Sequence, residues 1–195
     1  MKETGYRIRD PYKSHFVTFT VVGWVDLFSR KECRDILVNN LKYCIDNKGL
    51  LLYAYVIMTN HVHAIMAADN GTKGLSILIR DFKSYSSKQL ITWVLSDSKE
   101  SRRAWMTDIF RHYGFTSGNV DLFQIWTHDN RSMEISQMDF FNQKLNYIHQ
   151  NPVKAGFVRK PEDFLYSSAS NYAGFEENIL DVIVIDHWSN IGYIR

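Results

Sequence analysis

The feature that most constrains the fold is a pair of apolar runs, residues 50–58 and 61–67, that are separated by only two residues. Both runs are rich in residues typical of β-strands, and so short a connection between them predicts an antiparallel hairpin. The second run contains His61 and His63. Because side chains alternate between the two faces of a strand, these histidines project from the same face. The hairpin therefore holds two imidazoles side by side.

Two imidazoles on a rigid strand suit a divalent metal ion, since neutral ring nitrogens are good metal ligands and the strand fixes their separation. The alternative is a pair of structural histidines whose ring nitrogens are satisfied within the protein. From the short His-x-His motif alone, that alternative is the more common one. The choice between the two depends on the rest of the chain.

The elements predicted around the hairpin follow the order strand, helix, hairpin, helix, strand. They are a strand over 15–22, a helix from a capping box at Ser29 and Glu32 to Gly49, the hairpin, helices over 75–94 and 101–113, and a strand over 122–126. This order is the split β-α-β of ferredoxin-like domains. We therefore expect an α+β, RRM-like fold in which helices pack on one face of a four-stranded antiparallel sheet and leave the other face for function.

A late helix, predicted over 136–150, carries a tyrosine that does not belong to its apolar stripe. Tyr147 lies off that stripe and shares a face with Lys144 and Asn151. Pro152 disfavours helical geometry at the residue before it, so we expect the helix to end at Asn151. Spacing alone leaves two interpretations open, a functional phenol and amide or a surface aromatic and an ordinary helix-end residue.

The composition limits the partners and the location of the protein. A chain of 195 residues is the size of one domain, and its formal net charge of +2 permits a nucleic-acid partner without requiring one. Its apolar runs are too short to span a membrane, and residues 1–10 lack the apolar core of a signal peptide. Cys33 and Cys44 lie three turns apart on one predicted helix, too far to bridge. We therefore expect a soluble, cytoplasmic protein with free thiols and no membrane partner.

Three separate motifs carry a family resemblance. They are YVIMTNHVH at 55–63, LNYIHQNPVKAGFV at 145–158 and YSSA at 166–169. Together they resemble the REP-associated tyrosine transposases, which belong to the single-tyrosine HUH transposases and nucleases. The motifs occur in the expected order and spacing.

The resemblance covers roughly residues 12–174, and so it implies a single HUH domain over 1–174 with a tail over 175–195. Within the tail, residues 179–185 are a candidate added strand. Thr59 departs from the family, which more often has proline before the Asn-His pair. Because Thr59 lies in the turn, we expect it to change the stiffness of the loop and not the chemistry.

The resemblance also implies roles for individual residues. Tyr147 would be the nucleophile, carried on the additional C-terminal helix. His61 and His63, completed by Asn151, would hold Mg²⁺ or Mn²⁺. Attack by the phenol gives a 5′-phosphotyrosine link and a free 3′-OH, so rejoining needs no ATP. Since free tyrosine loses its proton only near pH 10, Tyr147 needs help from the metal or from Lys144.

Relatives of this kind recognise single-stranded DNA next to palindromic hairpins, and we expect the same class of partner here. Candidate contacts to the DNA backbone are basic residues: Arg80, Lys83, Lys88, Arg102, Arg103, Lys154, Arg159 and Lys160. Trp126 and Tyr113 are candidates for stacking on bases. For each cation the alternative is a solvated surface charge, and for each aromatic a place in the core. The sequence leaves open whether the protein acts as a monomer or a homodimer.

Two other functions fit parts of the sequence. A module that binds single-stranded nucleic acid without chemistry would use a similar sheet, but with aromatics in place of His61 and His63. A metal phosphodiesterase would use water in place of Tyr147. It would leave free 5′-phosphates and no protein-linked strand.

Overall fold

The computed structural model describes residues 8–96, 100–117 and 122–185. Four strands form one antiparallel sheet in the order β2-β3-β1-β4. They are β1 (His15–Thr20), β2 (Leu50–Ile57), β3 (His61–Ala68) and β4 (Met133–Glu134). This is the strand order of a ferredoxin-like sheet, and the predicted α+β fold class is confirmed.

The register of the two central strands determines which side chains share a face. In the antiparallel pair β1 and β3, Thr18 lies opposite His63 and Thr20 lies opposite His61. Side chains of directly opposed residues project from the same face of the sheet. Both histidines therefore share one face with both threonines.

Within the described residues, five α-helices accompany the sheet. They are α1 (Lys31–Lys48), α2 (Leu75–Ser96), α3 (Arg103–Thr116), α4 (Met138–Lys154) and α5 (Ala169–Tyr172). None of the helices in the described part of the chain combines the length and the apolar character needed to cross a bilayer.

The helices α1 and α2 cover the face of the sheet opposite the histidines, where the core lies. Leu41 of α1 and Phe82 of α2 pack there against Phe19 of β1 and Met66 of β3. The additional helix α4 lies on the histidine face. There the ring of Phe141 packs edge-on against the ring of Tyr53 of β2, with the two centroids 6.3 Å apart. The sheet is thus covered fully on one face and partly on the other.

The hairpin and the first helix match their predictions at most boundaries. Gly49, with φ of 69°, ends α1 and donates its N–H to the carbonyl of Cys44. The predicted capping box is wrong. The Ser29 hydroxyl donates to the carbonyl of Asp26 at 2.8 Å instead, and α1 begins after Arg30 without a side-chain cap. Ser29 already belongs to a short 3₁₀ turn, and so its hydroxyl satisfies that turn.

The fourth strand lies elsewhere than predicted. Residues 122–126 form no strand, and β4 is the two-residue segment that pairs with the start of β1. The 122–126 segment runs beside the chain after β1, with the N–H of Val22 donated to the carbonyl of Ile125 at 2.9 Å and one bridge between Val21 and Trp126. Its apolar pattern reflects packing of Ile125 and Trp126 into the core and not a strand ladder.

The helix α4 also ends later than predicted. It continues through Asn151 and Pro152 to Lys154. Proline removes a backbone donor that would bond to the carbonyl four residues earlier, but in the last turn this costs a single hydrogen bond. The Pro152 ring is buried, which offsets that loss. Asn151 is therefore held in helical geometry.

Two further predictions concern the cysteines and the tail. Cys33 and Cys44 are free and buried, as predicted, and burial raises the pKa of both thiols. Residues 179–185 lie beside β2, joined by the N–H of Ile183 donating to the carbonyl of Leu52 at 2.8 Å, without forming a strand. The last part of the tail, 186–195, lies outside the described residues.

Candidate active site

The phenol of Tyr147 and the imidazole of His63 meet across the sheet face. The Tyr147 Oη atom lies 3.4 Å from Nε2 of His63, and their ring centroids are 5.1 Å apart. The two residues are 84 positions apart in the chain. The buried face of α4, which includes Phe141 and Ile148, presses the helix onto the sheet and leaves Tyr147 at its margin, 41% exposed. The predicted convergence of the late helix with the histidine strand is present in the structure.

The predicted catalytic and metal-binding residues line one cavity of about 520 Å³. Its walls are formed by Phe16, Thr18, Thr20, Trp24, His61, His63, Arg131, Met133, Lys144, Tyr147 and Asn151. Tyr147, both histidines and Asn151 are thus brought together. The cavity contains two cationic side chains, and no carboxylate of the described residues lines it. Its charge suits an anionic ligand.

Hydrogen bonds of the two imidazoles fix their orientation. His61 Nδ1 lies 2.7 Å from Oδ1 of Asn60, a carbonyl oxygen that can only accept, so this nitrogen carries the proton. The Asn60 amide is itself oriented by donating Nδ2 to the carbonyl of Trp24 at 3.4 Å. His63 Nδ1 lies 2.8 Å from Oγ1 of Thr18. This leaves Nε2 of His61 as an unprotonated nitrogen that can bind a ligand.

Burial keeps both imidazoles neutral. It lowers the pKa of His63 to about 3, with smaller electrostatic contributions from the neighbouring His61, Lys144 and Arg131. Burial also lowers the pKa of His61. A buried imidazole loses solvation when it is protonated, so both rings are neutral near pH 7. Neutral rings are the form that binds metals.

The ammonium of Lys144 contributes positive charge next to the phenol. It lies over the ring of Phe16, 4.8 Å from the centroid, and 5.9 Å from the centroid of Tyr147. Lys144 and Tyr147 are both on α4, so the helix fixes their relative position. The positive charge of Lys144 therefore lies close to the aromatic ring of Tyr147.

The donor set can hold a divalent ion, although it is small. Among the described residues, no cluster of three or more His, Cys, Asp or Glu side chains is present. The family resemblance assigns the third position to Asn151, whose side chain lines the same cavity as His61 and His63. Nitrogen and oxygen ligands of this kind, with positions left open, fit Mn²⁺ better than Mg²⁺, because Mg²⁺ prefers oxygen.

The other predicted DNA contacts lie in several places. Arg80, Lys83 and Lys88 line a second cavity of about 430 Å³ between α2 and residues 122–130. The Lys83 ammonium donates to the carbonyl of Thr127 and to Oδ1 of Asn130, both at 2.7 Å. The Lys83 ammonium therefore binds the 122–130 segment through two hydrogen bonds. Burial lowers the pKa of Lys83 to about 8.

The remaining candidates divide into buried and exposed residues. Trp126 is 4% exposed and donates its ring N–H to Ser86, so its ring belongs to the core, the alternative that the sequence left open. Arg102 is bound to Glu100 through its Nε at 3.0 Å. Tyr113 is partly exposed on α3. The other four predicted DNA contacts are exposed cations: Arg103, Lys154, Arg159 and Lys160.

Several residues that surround the site were not predicted from the sequence, among them Thr18, Trp24 and Arg131. Thr18 had a detectable signal, since Thr18 and Thr20 are two polar residues spaced two apart, and so on one face, in a β-branched and aromatic run. Trp24 and Arg131 lie in irregular segments, where no periodicity indicates which side chains point into a cavity. Only the tertiary structure brings them to the histidines.

The YSSA motif attaches α4 to the sheet. The N–H of Ile57 donates to the carbonyl of Tyr166, and the N–H of Ser168 donates to the carbonyl of Tyr55. The Ser168 hydroxyl accepts the N–H of Tyr55 and lies 3.0 Å from Nε2 of His149 on α4. Because His149 and Tyr147 are both on α4, this bond links the helix that carries the tyrosine to the hairpin that carries the histidines.

No protein-family model matches the sequence. No curated protein matches it either. A solved structure of a REP-associated tyrosine transposase bound to a REP hairpin is similar over the full length of both chains, with 18% sequence identity and a TM-score of 0.57. The two proteins share a fold. At this identity the relationship to that transposase is one of structure.

Proposed function

We propose that this protein is a DNA strand transferase of the HUH tyrosine transposase type, which cleaves and rejoins single-stranded DNA next to a hairpin. The observation that supports this most strongly is the approach of Tyr147 Oη to Nε2 of His63 at 3.4 Å inside a cationic cavity. If the histidines had only a structural role, a phenol beside them would not be required. The cavity in turn gives a substrate access to the phenol.

The chemical step assigned to Tyr147 is an in-line displacement at phosphorus. The phenol oxygen attacks, the bond from phosphorus to the 3′ oxygen breaks, and a 5′-phosphotyrosine forms. The phenol gives up its proton, and the departing 3′ oxygen takes one to become a 3′-OH. Lys144 offsets the negative charge on the phenol oxygen during attack. Rejoining is the reverse reaction, in which a 3′-OH attacks the phosphotyrosine.

His61, His63 and Asn151 are the residues that would hold a divalent ion in this reaction, Mn²⁺ or Mg²⁺. When bound, such an ion stabilises the negative charge on the phosphate oxygens and orients the phosphate. The hydrogen bonds to Asn60 and Thr18 hold both imidazoles in place for this role.

The substrate class follows from the charge of the site and from the related structure. The solved transposase with the same fold is bound to a REP hairpin. In this chain, Arg131 and Lys144 bring positive charge to the cavity, and Lys154 at the end of α4 and Arg159 and Lys160 after it are exposed. These cations suit the phosphates of a DNA strand that approaches Tyr147.

The test is a covalent-adduct assay with labelled single-stranded hairpin DNAs taken from the neighbourhood of the gene. We expect a metal-dependent protein–DNA product on a denaturing gel with the natural protein. Tyr147→Phe should bind the DNA and form no adduct. Tyr85→Phe, which changes an exposed tyrosine outside the cavity, should form the adduct normally.

The two other functions predict different products. Cleavage that leaves free 5′-phosphates without a protein-linked strand indicates a phosphodiesterase with water as nucleophile. Binding of single-stranded DNA without cleavage, for the natural protein with either ion, indicates a binding module.

A further inference from the structure

Two residues other than glycine have a positive φ in the described part of the chain, Trp24 at 55° and Arg131 at 40°. Both line the cavity that contains Tyr147. Residues that have a side chain rarely adopt a positive φ, because the Cβ atom then approaches the following carbonyl oxygen. Backbone strain of this kind concentrates where a binding or catalytic site requires it.

Trp24 presents a large exposed ring at the edge of the site. Its side chain is 64% exposed, and its centroid lies 6.4 Å from that of His61. The backbone is held by its own N–H, which donates to the carbonyl of Val21 at 3.2 Å, and by its carbonyl, which accepts from Asn60. A ring this exposed buries little apolar surface, so stability alone would favour glycine at this position.

Arg131 is placed by an anchored loop on β1. Its N–H donates to Oδ1 of Asp129 at 2.8 Å, and the carbonyl of Asn130 accepts the N–H of Thr18 at 2.9 Å. Lys83 binds the Asn130 side chain from the other side. The exposed guanidinium forms no ion pair within the described residues, so its donors are available to a ligand.

We infer that Trp24 and Arg131 form a subsite for one unpaired nucleotide beside the scissile phosphate, in which Trp24 stacks on the base and Arg131 binds a phosphate. The assignment rests on the proposed function, because it takes single-stranded DNA as the ligand. An aromatic face stacks on any base, and a guanidinium matches the geometry of phosphate. The absence of carboxylates among the described residues that line the cavity removes competition for Arg131.

The first experiment measures binding of single-stranded DNA in a Tyr147→Phe background, which keeps the substrate intact. DNAs that carry 2-aminopurine at successive positions locate the stacked base by fluorescence quenching. Trp24→Ala should weaken binding by roughly 5- to 100-fold and remove the quenching, whereas Trp24→Phe should keep most of both. Tyr85→Ala, an exposed aromatic outside the cavity, should bind like the parent.

A matched DNA separates stacking from a general loss of structure. With an abasic nucleotide at the quenched position, Trp24→Ala and the parent should bind equally, because no base is left to stack. Arg131→Gln should lower the slope of log affinity against log salt by about one, as expected for one lost phosphate contact. Equal losses for Trp24→Ala on intact and abasic DNA would overturn the inference, and so would an unchanged salt slope for Arg131→Gln.

A glycine variant gives a readout that a purely structural role would not produce. Trp24→Gly relieves the backbone strain, and so it should keep or raise the melting temperature while it weakens DNA binding. A lower melting temperature with unchanged binding would assign Trp24 to structure and reject the subsite. If the natural protein forms no adduct but binding depends on Trp24, the proposed function fails and the subsite stands. If the natural protein forms the adduct but binding does not depend on Trp24, the proposed function stands and the subsite is rejected.

Discussion

Nδ1 of His61 lies 2.7 Å from Oδ1 of Asn60, the residue that precedes it in the chain. This bond assigns the proton of the ring to Nδ1 and leaves Nε2 unprotonated. The Asn60 amide is held in turn by the carbonyl of Trp24. The turn residue before the histidine strand thus determines which ring nitrogen is available.

The first prediction follows from that bond. Asn60→Ala removes the acceptor, so the His61 ring can rotate and take the other tautomer. We expect the affinity for Mn²⁺ to fall by about 10- to 100-fold, whereas Asn60→Asp, which retains an acceptor oxygen, keeps it. Titration calorimetry with Mn²⁺ in the absence of DNA measures this. Equal affinities for Asn60→Ala and the natural protein would show that the bond has no role at the metal.

The second prediction concerns the ion itself. Chelation by EDTA should abolish adduct formation but leave hairpin binding in place, because the cationic residues bind the DNA phosphates without the ion. Mn²⁺ should restore the adduct at lower concentration than Mg²⁺, since imidazole ligands suit Mn²⁺ better. The yield of adduct against ion concentration tests both points. Full activity in EDTA would exclude the metal role of His61 and His63.

The third prediction concerns the attachment of α4 by Ser168. Ser168→Ala leaves the N–H of Tyr55 and the His149 ring without their buried partner, which should lower the free energy of unfolding by about 1–3 kcal/mol. Urea denaturation measures this change. Ser96→Ala, at an exposed helix end, should have little effect. A similar loss in both variants would contradict the role of Ser168.

The fourth prediction concerns acid stability through Glu100. Hydrogen bonds from Arg102 and Arg30 lower the pKa of this carboxyl to about 2, and its side chain is fully buried. A carboxyl with a lowered pKa stabilises the fold above its unfolded pKa of about 4.3, and this contribution is lost as the pH falls toward 2. Glu100→Gln should therefore cost about 2 kcal/mol at pH 7.

The difference between Glu100→Gln and the natural protein should shrink between about pH 4.5 and pH 2, in step with protonation of the carboxyl. Asp46→Asn, in the exposed pair with Lys42, is the control and should change stability by less than about 0.5 kcal/mol. A difference that stays constant down to pH 2 would contradict the assignment of this stability to the ionised carboxyl.

The parts of the fold that the sequence predicted are those specified by local patterns. The hairpin over 50–67 follows from two apolar runs with a short turn, and Gly49 ends α1 because it can take a left-handed conformation. The prediction of a strand at 122–126 was wrong because burial of Trp126 in a loop produces the same apolar signal as a strand. A two-residue strand such as β4 is too short to produce any periodicity.

The residues of the candidate site also divide into those that the sequence predicted and those that it did not. His61 and His63 follow from the period of a strand, and the placement of Tyr147 and Asn151 beside them was expected from the family resemblance. Trp24 and Arg131 reach the site from irregular segments whose backbone conformation depends on tertiary contacts, so no local pattern predicts them.

In the proposed reaction, the Tyr147 phenol forms the covalent bond to DNA. The direct measurement is peptide mapping by mass spectrometry of the protein–DNA product after digestion of both components. We predict a single modified peptide that carries a nucleotide phosphate on Tyr147. A nucleotide on another tyrosine, or a cleaved DNA strand with an unmodified Tyr147 peptide, would reject Tyr147 as the nucleophile.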